Sequence, residues 1–379
     1  MKSIGHTALS AWSGGAYMHY GEPLDDARLV ALMRPGADVH TVITADVYGE
    51  GAADRMIGRA LGGCARDEYA VIGAVGHDFY EGKRDGPRGF PRFTAAALRG
   101  PDGYADYLRM ATERSLERCG VDYFDCLLLH NPDRIGYTQP AIWDALGALR
   151  DNGLARTIGM APGPANGFTL DVIRCLEQFG EAIEWAMLIL NPFEPWPASL
   201  ALPACERHNV KVIARVVDYG GVFHDDVPDE ASLHAMDHRS HRPAGWVDAA
   251  RARLARVRPI AERHGLTPLQ LACQWTLAQP AVACVAPTLI QEPGPVAKTV
   301  ETKRAELAAV GVAPVLSRSE LAEIAAIGDN RGSMVLKGGS PVHEGEERPD
   351  AWPLDNHLHE VAERWGIAPG RDLVKTTTS

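Results

Sequence analysis

The sequence predicts a (β/α)8 barrel, and three observations predict it. Eight short β-rich runs alternate with amphipathic helical patterns along most of the 379 residues. Most of these runs are continuously apolar, as parallel strands buried on both faces must be. The chain is 46% hydrophobic, enough to fill one large core inside a ring of helices.

In order, the strand candidates are "ALSAW" (8–12), "VHTVITA" (39–45), "YAVIGAVG" (69–76) and "FDCLLLH" (124–130). Then come "ARTIGMA" (155–161), "WAMLILN" (185–191), "VKVIARVV" (210–217) and "AVACVAP" (281–287). The helical patterns between them include "DDARLVALMR", with acid in its first turn, and "AADRMIGRALGG", which ends on glycine. "GYADYLRMATERSLERCG", "QPAIWDALGALRDNG", "TLDVIRCLEQFG" and "TPLQLACQWTLAQ" follow. Two segments exceed a minimal barrel. One is 218–265, a long loop after the seventh strand that runs into the helical "WVDAARARLARVRPIAERHG". The other begins near 316 and holds two further helical patterns around a Gly-rich stretch. The expected division is a barrel over 1–330 and a C-terminal extension over 331–379 that packs on it. Loops that follow the strands build the active face of such a barrel, so a long one there shapes a pocket.

Composition narrows the function classes. Net charge is −11 with no basic stripe, which argues against nucleic acid and anionic membrane as partners. The seven cysteines are scattered without a C-x-x-C pair and read as reduced core thiols. No apolar leader or membrane-length run is present, so a cytoplasmic protein with a small-molecule substrate is expected, with a homo-oligomer left open.

Two stretches carry chemistry. "ADVYGEGAADRMIGRAL" leaves the second strand and opens a helix, setting Asp46 and Tyr48 at the active face. A phenol there can hand a proton to a carbonyl oxygen if its neighbours lower its pKa. "FDCLLLHNPD" sets His130 at the end of the fourth strand. Each alone reads as an ordinary loop tyrosine or a strand-end histidine. Together they are two titratable rings on two strand ends.

With "GLARTIGMA" and "AERHGLTPLQLACQWTLAQPAV", these motifs resemble the aldo-keto reductase superfamily in order and spacing over roughly residues 5–330. The resemblance implies a barrel that binds NADP(H) across its C-terminal mouth and reduces carbonyls by hydride transfer, with an Asp, Tyr, Lys and His set. Tyr48 matches the proton-donating tyrosine and His130 the histidine that orients the carbonyl. The acid falls on Ile43, and the lysine on Ala74 or Val75. Replacing both members of an ion pair strands no buried charge, so the two changes read as one unit. Asp46 or a distant lysine would then be a partial substitute. On the cofactor side the resemblance points to Met187 near the nicotinamide amide and to Thr288 after Pro287. It also points to Lys298, Lys303 and Arg304 as candidates for the phosphate. Trp12, His77, Asn191, Arg215 and Asp218 are the substrate-side candidates.

Three readings follow. The first is an NADP(H)-dependent oxidoreductase of a small carbonyl or sugar-like substrate, with NAD or no cofactor as alternatives. The second is a redox-neutral dehydratase, lyase or isomerase in which Tyr48 and His130 move protons, assisted by Asp46, His77, Asp78, Arg215 or Asp218. The third is a non-catalytic sensor or scaffold. The loop clusters "FHDD" (224–226 for its polar residues) and "DHRSHRP" are irregularly spaced, so no metal site is expected. Asp237 with Arg239 and Arg242 is expected to organise that loop. Lys337, in a Gly-rich stretch, is a candidate replacement cation.

Overall fold

The structure, a computed structural model, describes residues 2–86, 89–163, 168–331 and 343–374. Lys337 lies outside the described residues. Eight strands form one sheet: β1 (Ala8–Ser10), β2 (Thr41–Ile43), β3 (Ala70–Val75), β4 (Cys126–His130), β5 (Ile158–Ala161), β6 (Trp185–Ile189), β7 (Lys211–Arg215) and β8 (Val282–Ala286). Each falls inside the apolar run that predicts it. They pair in sequence order, all parallel, and a parallel bridge from Thr7 to Val285 closes β8 onto β1. The sheet is therefore a barrel with helices around it.

Alternation along the strands sorts the side chains. Ile43, Ile72, Ala74, Cys126, Leu128, Met187, Ile213 and Cys284 fill the interior. Their neighbours Val42, Val71, Val75, Leu127 and Leu129 face outward into the layer shared with the helices. Period-two alternation thus yields a continuous apolar run, because both faces are buried. Gly159 on β5 is needed for closeness: a Cβ there would lie 2.1 Å from the Trp185 carbonyl oxygen on β6.

Most helices follow the patterns that announce them, including Ala52–Leu61, Tyr104–Cys119 and Pro140–Asp151. Pro268–Leu277 and Arg318–Ile327 open on reciprocal capping boxes, Thr267 with Gln270 and Ser317 with Glu320. One barrel helix, Ala198–Arg207, was not among the sequence patterns. Its interior Pro203 breaks the expected signal, since proline lacks the N–H a helix uses.

The loop after β7 is tied to two other loops. Arg239 is 1% exposed, and its guanidinium pairs with Asp237 at 2.8 Å and with Glu292, beyond β8, at 2.5 Å. Asp237 also accepts the Gly21 N–H, after β1, at 2.9 Å. Arg242 does not join Asp237. It pairs instead with Glu194 at 3.2 Å and lies over Tyr219 and Trp246.

The described part of the C-terminal segment docks on the helix Thr169–Phe179. Trp352 is fully buried, stacks on Phe168 at 4.8 Å and donates its indole N–H to Asp171 at 3.1 Å. Arg134 pairs with Glu347 and Asp355, and Arg364 with Glu177. No helix among the described residues is long and apolar enough to cross a membrane.

Candidate functional site

The C-terminal strand ends surround a cavity of about 280 Å³. Seven of the residues singled out from sequence line it: Trp12, Tyr48, His77, His130, Met187, Arg215 and Thr288. So do Ile43 and Ala74, which belong to the barrel's interior cluster, whereas Val75 faces the helices. Apolar groups therefore stand where the resemblance calls for an acid and a lysine; of the two candidates for the lysine position, Ala74 is the one on the cavity wall.

Tyr48 and His130 meet edge to face, ring centroids 5.7 Å apart at 89°. His77 meets the other side of His130 at 5.2 Å. His77 is held at both ring nitrogens: Nδ1 lies 3.0 Å from the Phe90 carbonyl and 3.1 Å from the Arg92 guanidinium, and Nε2 lies 3.1 Å from the Asn131 amide. Burial and the neighbouring Arg92 guanidinium push the His77 pKa well below its ordinary value. His130 falls to about 3, from burial first and then from the charges of Arg92 and Arg215. Its Nδ1 is buried with no hydrogen-bond partner. Both imidazoles are therefore neutral at physiological pH. Burial raises the Tyr48 pKa, and the one charge that lowers it is Arg215. The phenol therefore keeps its proton at physiological pH.

Arg215 ends β7 and is half-buried, with Nη2 donating to the carbonyls of Pro162 and Gly163 at 3.4 and 3.1 Å. The next residue, Val216, has φ +58, a left-handed conformation that costs a β-branched side chain on the order of 1–2 kcal/mol. Asn191 supports this turn: its amide donates to the Val216 carbonyl at 3.1 Å. Asn191 is itself fully buried and acts from behind the cavity wall. Asn131, which follows β4, is also left-handed, at φ +47. Of the non-glycine residues with positive φ, Val216 and Asn131 are the two that line the cavity.

Other predicted residues stand apart from the cavity lining. Asp46 is completely buried, its N–H donates to Ala74 at 3.1 Å, and neither carboxylate oxygen has a partner. Burial, with Asp54 nearby, pushes its pKa well up, and it lies behind the wall rather than on it. Asp218 accepts the N–H groups of Thr288 at 2.6 Å and Gly221 at 2.8 Å, pinning the loop after β8. Asp78 pairs with Arg99 at 2.5 Å and accepts two backbone N–H groups.

The three phosphate candidates are engaged within the protein. Lys298 pairs with Glu306 at 2.9 Å. Lys303 is fully buried on Asp226 at 2.7 Å and the Ile290 carbonyl. Arg304 donates to the carbonyls of Leu32 and Arg34. In the "FHDD" cluster, His224 contacts the Thr288 carbonyl, Asp225 holds Arg258 and Asp226 holds Lys303, so the three point to different partners. Among the described residues, no group of three or more His, Cys, Asp or Glu side chains could hold a metal ion.

Sequence reasoning missed Tyr17, Met18, Tyr20, Arg84, Phe90, Asn131 and Val216, all of which line the cavity. Their signal was positional. They lie in loops after β1, β3, β4 and β7, the segments that face a barrel mouth.

The sequence model described as "Aldo/keto reductase family" matches residues 22–327. Among curated proteins, a "Probable aldo-keto reductase 1" of Glycine max is 24% identical over 333 residues, covering 84% of this chain and 85% of that protein. A "Probable voltage-gated potassium channel subunit beta" of Arabidopsis thaliana is 23% identical over 300 residues, covering 75% and 85%. Among solved structures, a glycerol dehydrogenase from Gluconobacter oxydans superposes with TM-score 0.65 at 22% identity, over 86% of this chain and 91% of that one. An aldo/keto reductase from Klebsiella pneumoniae, solved with NADP and acetate, gives 0.57 at 21%, over 92% and 95%. At these identities the structural likeness is one of fold.

Proposed function

The chain belongs to the aldo/keto reductase family, and from that premise we propose that its cavity is an active site for a small carbonyl compound. Tyr48 gives the substrate oxygen its proton and takes it back in the reverse direction, and neutral His130 orients that oxygen. The observation that carries the reading is the contact of the two rings, 5.7 Å apart, on one cavity wall. An oxygen that gains negative charge draws the phenol proton, and the Arg215 charge eases the phenolate left behind. His77 backs His130, and burial with the Arg92 guanidinium beside it keeps its own ring neutral.

Oxidation and reduction with a pyridine dinucleotide is the reaction that family membership favours, and the Klebsiella relative was solved with NADP. Such a cofactor supplies or accepts a hydride at carbon. Met187 and Thr288 border the cavity where a nicotinamide would lie. The phosphates fit less well, because Lys298, Lys303 and Arg304 are all engaged by acids or carbonyls of the chain itself. As a set, these three residues do not fit the phosphates of a dinucleotide. The same observation favours a second reading, in which Tyr48 and His130 carry a redox-neutral proton transfer.

The two readings part under one experiment. Protein titrated with NADPH is followed by cofactor fluorescence, and a panel of aldehydes and ketones is then tested for oxidation of the bound cofactor. Binding with turnover supports the oxidoreductase; absence of binding at millimolar NADPH removes it and leaves the redox-neutral reading. Under both, Tyr48→Phe lowers turnover by about 10²–10⁴-fold, the scale of a lost general acid. Unchanged turnover would take Tyr48 out of the mechanism.

A further inference from the structure

We propose that Arg215 is an anion anchor and that the cavity takes a small carbonyl compound bearing a carboxylate. The proposal deepens the reading above and rests on it for the location of the carbonyl.

The geometry of the guanidinium is the starting point. Nη2 is occupied by the carbonyls of Pro162 and Gly163. Nε and Nη1 have no hydrogen bond among the described residues, and neither is sealed away from accessible space. Among the described residues, no carboxylate pairs with Arg215. The acid whose field bears on it, Glu194, is already held by Arg242 at 3.2 Å. Arg239, Arg118 and Arg99 each hold a buried carboxylate, at 2.8, 3.0 and 2.5 Å, whereas Arg92, like Arg215, is engaged by neutral groups, the Asn131 carbonyl and His77. A half-buried guanidinium with two nitrogens open to the cavity and no acid beside it has donors ready for an anionic ligand. Backbone strain at Val216 and the Asn191 support behind it hold Arg215 in that position.

The surroundings select the ligand. The phenols of Tyr48 and Tyr20 both lie within reach of the Arg215 charge and can donate to an anion. Trp12, Ile43, Ala74 and Met187 offer an apolar bed for a small organic body. One guanidinium balances one negative charge. A dianionic phosphate would leave its second charge beside two phenols that keep their protons. Arg84, the other cation lining the cavity, is solvent-exposed and lies over the Phe90 ring at 5.8 Å, so water and salt screen it. Arg215 lines the same cavity as Tyr48 and His130, so a small ligand anchored on it would have its carbonyl within the space those two rings border.

The test uses three matched pairs, each a 2-oxo acid and the ketone with methyl in place of carboxylate: pyruvate with acetone, 2-oxobutanoate with butan-2-one, and phenylpyruvate with phenylacetone. Affinity is read from quenching of tryptophan fluorescence, Trp12 being in the wall, and from calorimetry. At least one acid is expected to bind tenfold or more tighter than its ketone, the scale of a charge-assisted hydrogen bond. Arg215→Gln should erase that preference, with folding checked by the melting temperature. If no acid outbinds its ketone, including the case where none binds, the proposal fails. It also fails if the preference survives Arg215→Gln, or if inorganic phosphate or NADPH binds in place of the acids and loses affinity in that variant. Should the variant not fold, the wild-type pairs still decide. Acid binding without any turnover would keep the anchor and remove the catalytic reading; turnover of neutral ketones with no acid preference would do the reverse.

Discussion

Ile43 and Ala74 show at the scale of single residues how a site can lose an ion pair without collapse. Both sit in the apolar interior cluster and on the cavity wall. An Asp introduced alone at position 43 would be an unpaired buried charge, so Ile43→Asp should cost about 3–5 kcal/mol, and Ala74→Lys a similar amount. The double variant should cost clearly less than the sum, because the charges then meet. Urea denaturation of the four proteins measures this. Strict additivity would mean that the two positions do not face one another. His130 makes a second expectation. Its pKa is depressed to about 3 in the folded protein, while the unfolded chain takes up that proton near 6.5. Its contribution to stability is therefore complete above about pH 6.5 and is lost as pH falls toward 3. Asp46, whose pKa is raised, works with the opposite sign. The imidazole resonances of His130 should stay those of a neutral ring from about pH 8 to 5; a midpoint near 6.5 would contradict the burial argument. At this scale the sequence disclosed Tyr48 and His130, because strand-end motifs carry their neighbours with them. It did not disclose that Arg215 lacks an acid while Lys298, Lys303 and Arg304 have partners. Pairing depends on side chains up to hundreds of residues apart.

Among the elements, the loop after β7 and the exposed surface pairs predict opposite outcomes. Arg239 is buried on Asp237 and Glu292, so Arg239→Ala leaves two buried carboxylates without a cation and should cost about 3–5 kcal/mol. The loop 218–245 should also become the first site of proteolytic cleavage. Arg28–Glu301 is a pair with side chains 41% and 58% exposed, and Arg28→Ala should cost less than about 1 kcal/mol. Equal losses in the two variants would mean that the Arg239 cluster does not brace the loop. The strands were legible because burial on both faces writes itself as an unbroken apolar run. The Ala198–Arg207 helix was not, because Pro203 sits inside it and only the packing around it sustains the helix.

For the whole molecule, the C-terminal segment is fastened to the barrel's outer layer by Trp352 together with Leu358, Val361, Ile367 and Leu373, all buried in the same core. Trp352 is fully buried against Phe168, so Trp352→Ala should cost about 3–5 kcal/mol. Thermal unfolding should remain one transition at a lower temperature if that segment and the barrel form one cooperative unit. A second, early transition would show them unfolding separately. The sequence by itself determined the barrel, its strand order and the two rings at its mouth. Those follow from hydrophobic periodicity and local motifs, which are properties of neighbouring residues. Only the tertiary structure decided which charges are cancelled and which remain open. It buried Asp46 away from the cavity, matched the cations after β8 to acids and carbonyls, and left Arg215 facing the cavity. Electrostatic pairing is a matter of distance in space, and closing the barrel is what sets that distance.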